Sequence, residues 1–154
     1  MSIEASTNFH RIDDRLTTSG AVPLEALAGL AAAGYHAVID LLPHESDWAT
    51  PGEADVVRGQ GVDYVYIPVD FAAPSRADLD AFTSAMDAHE GRTVHVHCAA
   101  NYRVSAFYAL YALRKGVWSA EDADRHVRSI WNPEDYPPWA EFIAAERRRI
   151  APAG

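Results

Sequence analysis

The residues with the clearest chemical potential lie together, at Val96-His97-Cys98-Ala99-Ala100-Asn101-Tyr102-Arg103-Val104-Ser105. Cys98 is the chain's one cysteine, so it cannot close an internal disulfide, and its surroundings decide whether it is an inert thiol or a reactive one. Those surroundings are a β-branched strand, a short loop, and a run from Val104 to Lys115 that is apolar nearly all round and reads as a buried helix stopped by Gly116. Backbone N–H groups at a helix start point into the preceding loop and favour an anion there. A thiolate is such an anion. An ordinary thiol of pKa about 8.5 is only about 3% ionised at pH 7, whereas a helix start and a neighbouring arginine favour the nucleophilic form. Arg103 is a cation in a first helical turn, where the dipole disfavours one, and an anionic ligand accounts for it. Asn101 is the non-glycine residue type best able to take the left-handed backbone a tight loop needs.

Strands alternate with helices along the chain, the pattern of an α/β fold with a mostly parallel central sheet of about four to five strands and helices on both faces. Phe9 to Ser19 reads as one or two short strands, and Pro23 opens a helix that runs through Ala33 to Gly34. Ala37 to Leu42 is an apolar strand interrupted only by Asp40. Thr50, Pro51 and Glu53 read as N-cap, first-turn proline and capping-box acid of a helix ended by Gly59 or Gly61. A strand follows over Val62 to Val69. Ser75 with Asp78 caps a helix to about His89. The strand Thr93 to His97 leads into the chemical loop. Ser119 and Asp122 start a helix to about Trp131, and a last helix spans Trp139 to Ile150.

At 154 residues the chain suits one domain over 1–154, with fraying expected at 1–7 and 151–154. Apolar residues make up 49% and charged residues 23%, as in an ordinary globular protein. Thirteen basic against 22 acidic residues give a formal charge of -9, which repels phosphate backbones and anionic lipid, so neither nucleic acid nor membrane is an expected partner. Met1 to His10 carries no basic and apolar leader pattern, and a cytoplasmic location is expected.

A strand ending in His-Cys, a short loop with arginine and a buried helix resembles the phosphate-binding loop of the protein tyrosine phosphatase superfamily, in its small dual-specificity-like branch. The likeness extends upstream from Asn8 through Val69, with Thr18-Ser19-Gly20 after the first strands and Ile67-Pro68-Val69 before an acid loop, and is similar to bacterial phosphatase-like proteins of that branch. It implies a phosphorylated substrate, protein or small molecule, with Cys98 as nucleophile and Arg103 holding phosphoryl oxygens. Residues Ala99, Ala100, Asn101, Tyr102, Val104 and Ser105 then form the rest of the phosphate-binding loop. Asp70, about thirty residues before the cysteine, falls where the family supplies its general acid, and His97 falls where the family orients the loop from behind. The implied chemistry requires no metal and no cofactor.

The chain departs from the family in spacing. Four residues separate Cys98 from Arg103, whereas the family has five and follows its arginine directly with Ser or Thr. Aligned without a gap, Asn101 and Ser105 keep their places and Val104 occupies the arginine position. Aligned with a deletion, the Cys-x4-Arg loop resembles that of rhodanese-type sulfurtransferases, in which Cys98 would carry a persulfide. A catalytically silent phosphate- or sulfate-binding module is the third reading. Two further features have alternatives. His95 and His97, two apart on one strand, fit a metal pair with Asp70 or His89 less well than ordinary strand histidines, because no third ligand has a recognisable spacing. His44, Glu45, Asp47 and Trp48 form a polar loop that could border the site, and Tyr102 is a candidate for its rim.

Overall fold

The computed structural model of the chain describes residues 1–150. Five four-residue strands, β1 His10–Asp13, β2 Leu16–Ser19, β3 Ala37–Asp40, β4 Asp63–Tyr66 and β5 Val94–His97, form one sheet in the order β1-β2-β5-β3-β4. β1 runs antiparallel to β2, and every other pairing is parallel. The interior strands are buried on both faces, which is why Ala37–Asp40 and Val94–His97 lack a simple polar–apolar alternation.

Helices cover both faces. α1 Leu24–Leu27 and α2 Glu53–Arg58 enclose the smaller core around Val22, Leu27, Leu30, Val38 and Val57. On the other face α3 Arg76–Ala88, α4 Tyr102–Arg114, α5 Ala120–Arg128 and α6 Pro137–Ile150 build the larger one around Ile39, Val96, Phe82, Phe107 and Trp139. α4 is central and buries eight of its thirteen residues, as its sequence requires. The parallel register sets Ser19 beside His97 and His97 beside Asp40, so the carboxyl ends of β2, β5 and β3 are level. Sites in parallel α/β sheets form at that edge.

Several boundaries differ from the sequence expectation for identifiable reasons. The helix opened by Pro23 ends at Leu27 and continues only as turns toward Gly34. The Gln60 carboxamide is responsible: its Nε2 donates to the Leu27 carbonyl at 2.7 Å and its Oε1 accepts from Ala31 N–H at 3.0 Å. Those two groups would bond each other in a continuing helix. Thr50 does not cap α2. Its hydroxyl donates to the Val22 carbonyl at 2.6 Å, Gly52 at φ 82° precedes the helix, and Glu53 turns inward instead of closing a capping box. Ser75 and Ser119 cap as read, accepting from Asp78 N–H at 3.1 Å and Asp122 N–H at 3.0 Å. Within residues 1–7, Ile3–Ala5 forms a 3-10 turn that buries Ile3 against the smaller core. Residues 151–154 lie outside the described residues. No helix among the described residues is long and apolar enough to cross a membrane.

Candidate active site

The loop that joins β5 to α4 is held from behind by the N-terminal segment. Cys98 N–H donates to the Ser19 carbonyl at 3.2 Å, continuing the β2–β5 ladder by one rung. Ala21 N–H then donates to the Ala99 carbonyl at 2.9 Å, and Asn8 Nδ2 donates to the Ala100 carbonyl at 2.9 Å. Asn101 returns the contact, its Nδ2 donating to the Asn8 carbonyl at 2.9 Å and to Thr18 Oγ1 at 3.1 Å. Both asparagines are left-handed, Asn8 at φ 48° and Asn101 at φ 69°, and Asn101 is the residue before α4. Asparagine tolerates this conformation where most side chains do not.

A trans peptide points its C=O and N–H in opposite directions. With the Ala99 and Ala100 carbonyls engaged on the β2 side, the Ala100 and Asn101 N–H groups point the other way. None of the six amides from Ala99 to Val104 donates to a protein acceptor among the described residues. A contiguous run of free donors at the start of a thirteen-residue helix has the arrangement of an anion cradle.

Cys98 begins this run and is fully buried. Arg103 leaves the first turn of α4 half-buried. Its Nε donates to the Val69 carbonyl at 2.9 Å, and its guanidinium lies 5.1 Å from the centre of the Phe71 ring, a cation–π contact. Its two terminal nitrogens have no protein partner among the described residues and remain available to an anion. Asp70 sits between these two contacts, exposed, its Oδ1 accepting from Ala72 N–H at 3.0 Å. The Asp70 loop is pinned from the far side as well, because Trp139 Nε1 donates to the Phe71 carbonyl at 2.7 Å. Arg103 and Asp70 line one depression together with Pro43, Glu45, Ser46 and Pro68. The structure therefore brings the loop after β4, the loop after β3 and the cysteine loop to the same edge. Of the polar loop after β3, Glu45 reaches the depression, while Trp48 is mostly in solvent.

Other expected residues have different employment. Val104 is wholly buried in the larger core, so its amide belongs to the cradle but its side chain does not. The Ser105 hydroxyl donates to the Tyr102 carbonyl at 3.0 Å and accepts from Trp131 Nε1 at 2.9 Å, locking α5's end to α4. Tyr102 stacks on Trp131 with ring centres 4.7 Å apart, and Phe71, Tyr136 and Trp139 complete an aromatic group beside the loop.

His95 and His97 point to the opposite face from Cys98, into the side of α1 and α2. His95 is bracketed by hydroxyls, Thr17 Oγ1 at 2.7 Å from Nδ1 and Ser19 Oγ at 2.8 Å from Nε2. Burial, with the nearby His97 charge, pushes its pKa well below the usual histidine range. His97 Nε2 bonds Glu53 Oε2 and lies 3.6 Å from Asp40 Oδ1, and its Nδ1 lies 3.4 Å from the Cys98 carbonyl oxygen. Burial alone would lower the pKa of His97; the Glu53 and Asp40 carboxylates overcome it and hold His97 up to about 9. Tyr64 donates to Asp40 Oδ2 at 2.6 Å, and Leu42 N–H donates to Asp40 Oδ1 at 2.9 Å. Burial and that carboxylate raise the Tyr64 pKa, which keeps the phenol a donor. Asp40, Glu53 and His97 offer three ligand atoms within 4.8 Å of one another. As a hydrogen-bonded acid–base group they already satisfy one another. The histidine pair envisaged with Asp70 or His89 does not assemble: Asp70 lies on the depression and His89 bonds Asp63 at 3.3 Å.

Residues 4–133 match the family described as DSP-PTPase phosphatase fused to NAD+ kinase. The chain belongs to this phosphatase family. A DUF442 protein of Shewanella putrefaciens CN-32 superposes with a TM-score of 0.87 at 36% identity, over 96% of this chain and 94% of that one. The active form of Tk-PTP shares the fold, with a TM-score of 0.74 at 24% identity, over 93% of this chain and 98% of that one. Among curated proteins, the beta-lactamase hydrolase-like protein of Xylella fastidiosa (strain Temecula1 / ATCC 700964) is 30% identical over 116 residues. That stretch is 73% of this chain and 27% of the relative, so the match spans about a quarter of the relative's length. Membership agrees with the resemblance drawn from His97, Cys98 and the segment Asn8 to Val69.

One part of the candidate site was missed in the sequence, Glu53, which was absorbed by a capping box; Gly20 entered only through the likeness of Thr18-Ser19-Gly20, with no physical reason attached. Its neighbours do show why it is glycine: a Cβ there would lie 2.3 Å from the Ala99 carbonyl oxygen.

Proposed function

We propose that the chain is a cysteine-dependent phosphomonoester hydrolase. The carrying observation is the run of free amides from Ala99 to Val104, which begins at Cys98 and includes Arg103 with its terminal nitrogens unengaged. In this reading the amides and the guanidinium take the three non-bridging oxygens of a phosphoryl group and stabilise the charge that spreads over them during transfer. Cys98 Sγ, as thiolate, attacks phosphorus as the ester P–O bond breaks, and protonated Asp70 gives its proton to the leaving oxygen. Water then attacks the cysteinyl-phosphate with Asp70 taking its proton, the S–P bond breaks, and the thiolate and inorganic phosphate are restored. Solved structures of the same fold support a phosphorylated substrate: P. aeruginosa TpbA is seen with pTyr and PTPMT1 with PI(5)P. With an aryl phosphate, Cys98→Ser should abolish turnover and Asp70→Asn should lower it by about 10²-fold. Turnover retained in the serine variant refutes the mechanism.

The spacing of Arg103 favours a second reading, sulfur transfer. With Nε committed to Val69, Arg103 lines the depression beside Asp70, and the residue that follows it is core. Cys98 Sγ would attack the outer sulfur of thiosulfate, releasing sulfite and leaving a persulfide that cyanide removes as thiocyanate. Thiosulfate treatment adding one sulfur at Cys98, with thiocyanate formed on cyanide addition and no aryl phosphate turnover, would select this reading over hydrolysis.

A further inference from the structure

His97 faces away from the cradle, yet it touches the one carbonyl that governs the first cradle amide. Its Nδ1 is 3.4 Å from the Cys98 carbonyl oxygen, and the Cys98–Ala99 peptide must therefore aim the Ala99 N–H to the opposite side, where the free amides begin. For this contact to hold, Nδ1 must carry a proton. A neutral imidazole has one proton to place, and the carboxylate on Nε2 attracts it. An imidazolium has both.

We propose that Glu53, assisted by Asp40, is a positioning residue that keeps His97 doubly protonated, so that its Nδ1–H fixes the Cys98 carbonyl, turns the Ala99 amide into the cradle and favours the Cys98 thiolate. The geometry is one-sided in the required way. Both carboxylates contact Nε2, on the edge of the ring remote from Cys98, and the positive end of the ion pair faces the loop. All three residues are nearly inaccessible: Asp40 is 2% exposed, Glu53 4% and His97 2%. Each arrives from a different element, Asp40 at the end of β3, Glu53 at the start of α2 and His97 at the end of β5. A buried carboxylate pair around a buried histidine is costly unless the histidine is charged. The other titratable groups facing the cluster do not compete for this role. Tyr64 from β4 donates to Asp40, His95 on β5 stacks 6.2 Å away and is held neutral, and His44 after β3 reaches only to 3.9 Å from Asp40.

The inference rests on Cys98 working as a thiolate, which both proposed reactions need, and it can be read without turnover. Because Cys98 is the chain's one cysteine, thiolate absorbance near 240 nm titrates it alone once the Cys98→Ser protein is subtracted to remove the seven tyrosines. Glu53→Gln keeps an acceptor for Nε2–H and loses only the charge. It should raise the thiolate midpoint by about one pH unit, leaving about tenfold less thiolate at any pH below both midpoints. Asp40→Asn should move it in the same direction by less. In the unmodified full chain, histidine 15N spectra at pH 7 should show both His97 nitrogens protonated, a measurement that needs no variant to fold. A neutral His97 there, or an unchanged midpoint in folded Glu53→Gln, overturns the proposal. If the midpoint shifts as expected but neither phosphate hydrolysis nor sulfur transfer is found, the proposed reactions fail and the positioning role of Glu53 stands.

Discussion

Gly20→Ala tests the cradle through a residue that makes no polar contact with it. Gly20 sits where the chain leaving β2 passes behind the cysteine loop, and its N–H donates to the Thr7 carbonyl at 2.6 Å. A Cβ built on it meets Ala99 O at 2.3 Å, Ala100 Cα at 2.7 Å and Ala99 C at 2.8 Å. All three are backbone atoms, so no side-chain rotation can relieve them. Ordinary contact begins near 3.4 Å. The loop must therefore retreat by about 1 Å, at a cost of about 1–3 kcal/mol for overpacking a filled interior. Retreat moves the Ala99 and Ala100 peptides, the first two that aim donors at an anion, and a displacement of about 1 Å at a reacting centre costs on the order of 10²-fold in rate. Two assays separate the effects: urea unfolding for stability, and tungstate or vanadate affinity by calorimetry for the cradle, with aryl phosphate turnover beside them. Stability should fall modestly and oxyanion affinity steeply. A variant that loses stability yet binds the oxyanion as tightly as the parent would show that the amides of Ala99 and Ala100 are not what holds the ligand.

Gln60→Leu should lower stability by about 1–3 kcal/mol in urea unfolding, because it strands the Ala31 N–H, while the Leu27 carbonyl keeps the Leu30 N–H at 3.2 Å; a loss below about 0.5 kcal/mol would mean that Ala31 N–H closes a helical bond to Leu27 on its own. Stability should also depend on pH on both sides of neutrality. His97 is raised from 6.5 to about 9 in the folded chain, so its contribution is complete below pH 6.5 and is lost as pH rises through about 9, on the order of 3 kcal/mol in all. His126, which burial and the neighbouring His10 lower to about 4, acts in the opposite sense: its contribution is present above pH 6.5 and is lost as pH falls through about 4. Urea midpoints measured from pH 4 to pH 10 check both limbs, and a flat profile between pH 6.5 and 9 would refute the charged His97.

What was legible in the sequence was what is contiguous in it. Strand, loop and helix follow one another from Val94 to Arg114, so the candidate loop could be read from one segment, and serine caps at Ser75 and Ser119 act only on their own first turns. What failed depended on strand register. Thr50 and Glu53 had the right spacing for a capping box, but parallel pairing of β3 with β5 places His97 and Asp40 side by side and gives Glu53 a stronger partner than a backbone amide. The helix from Pro23 was shortened by Gln60, about thirty residues away, and Gly20 is explained only by the loop that β5 delivers against it. In each case a local signal was real and a distant group outbid it.

The position of Arg103 follows from the same competition. α4 is buried without a break from 104 to 110, with Val104 packed into the larger core. Residue 103 lies about 100° around the helix from 104, before that buried run, and points toward the loop after β4, where the Val69 carbonyl and the Phe71 ring receive it. An arginine at 104 would have to carry its charge into the site of a fully buried valine, at a cost of several kcal/mol unless an acid came with it. The guanidinium is therefore anchored to the same loop that carries Asp70. In the proposed mechanism, an anion that draws its free nitrogens inward also pulls on the Val69–Phe71 segment, so anion binding and placement of Asp70 as the proposed acid are coupled through one side chain.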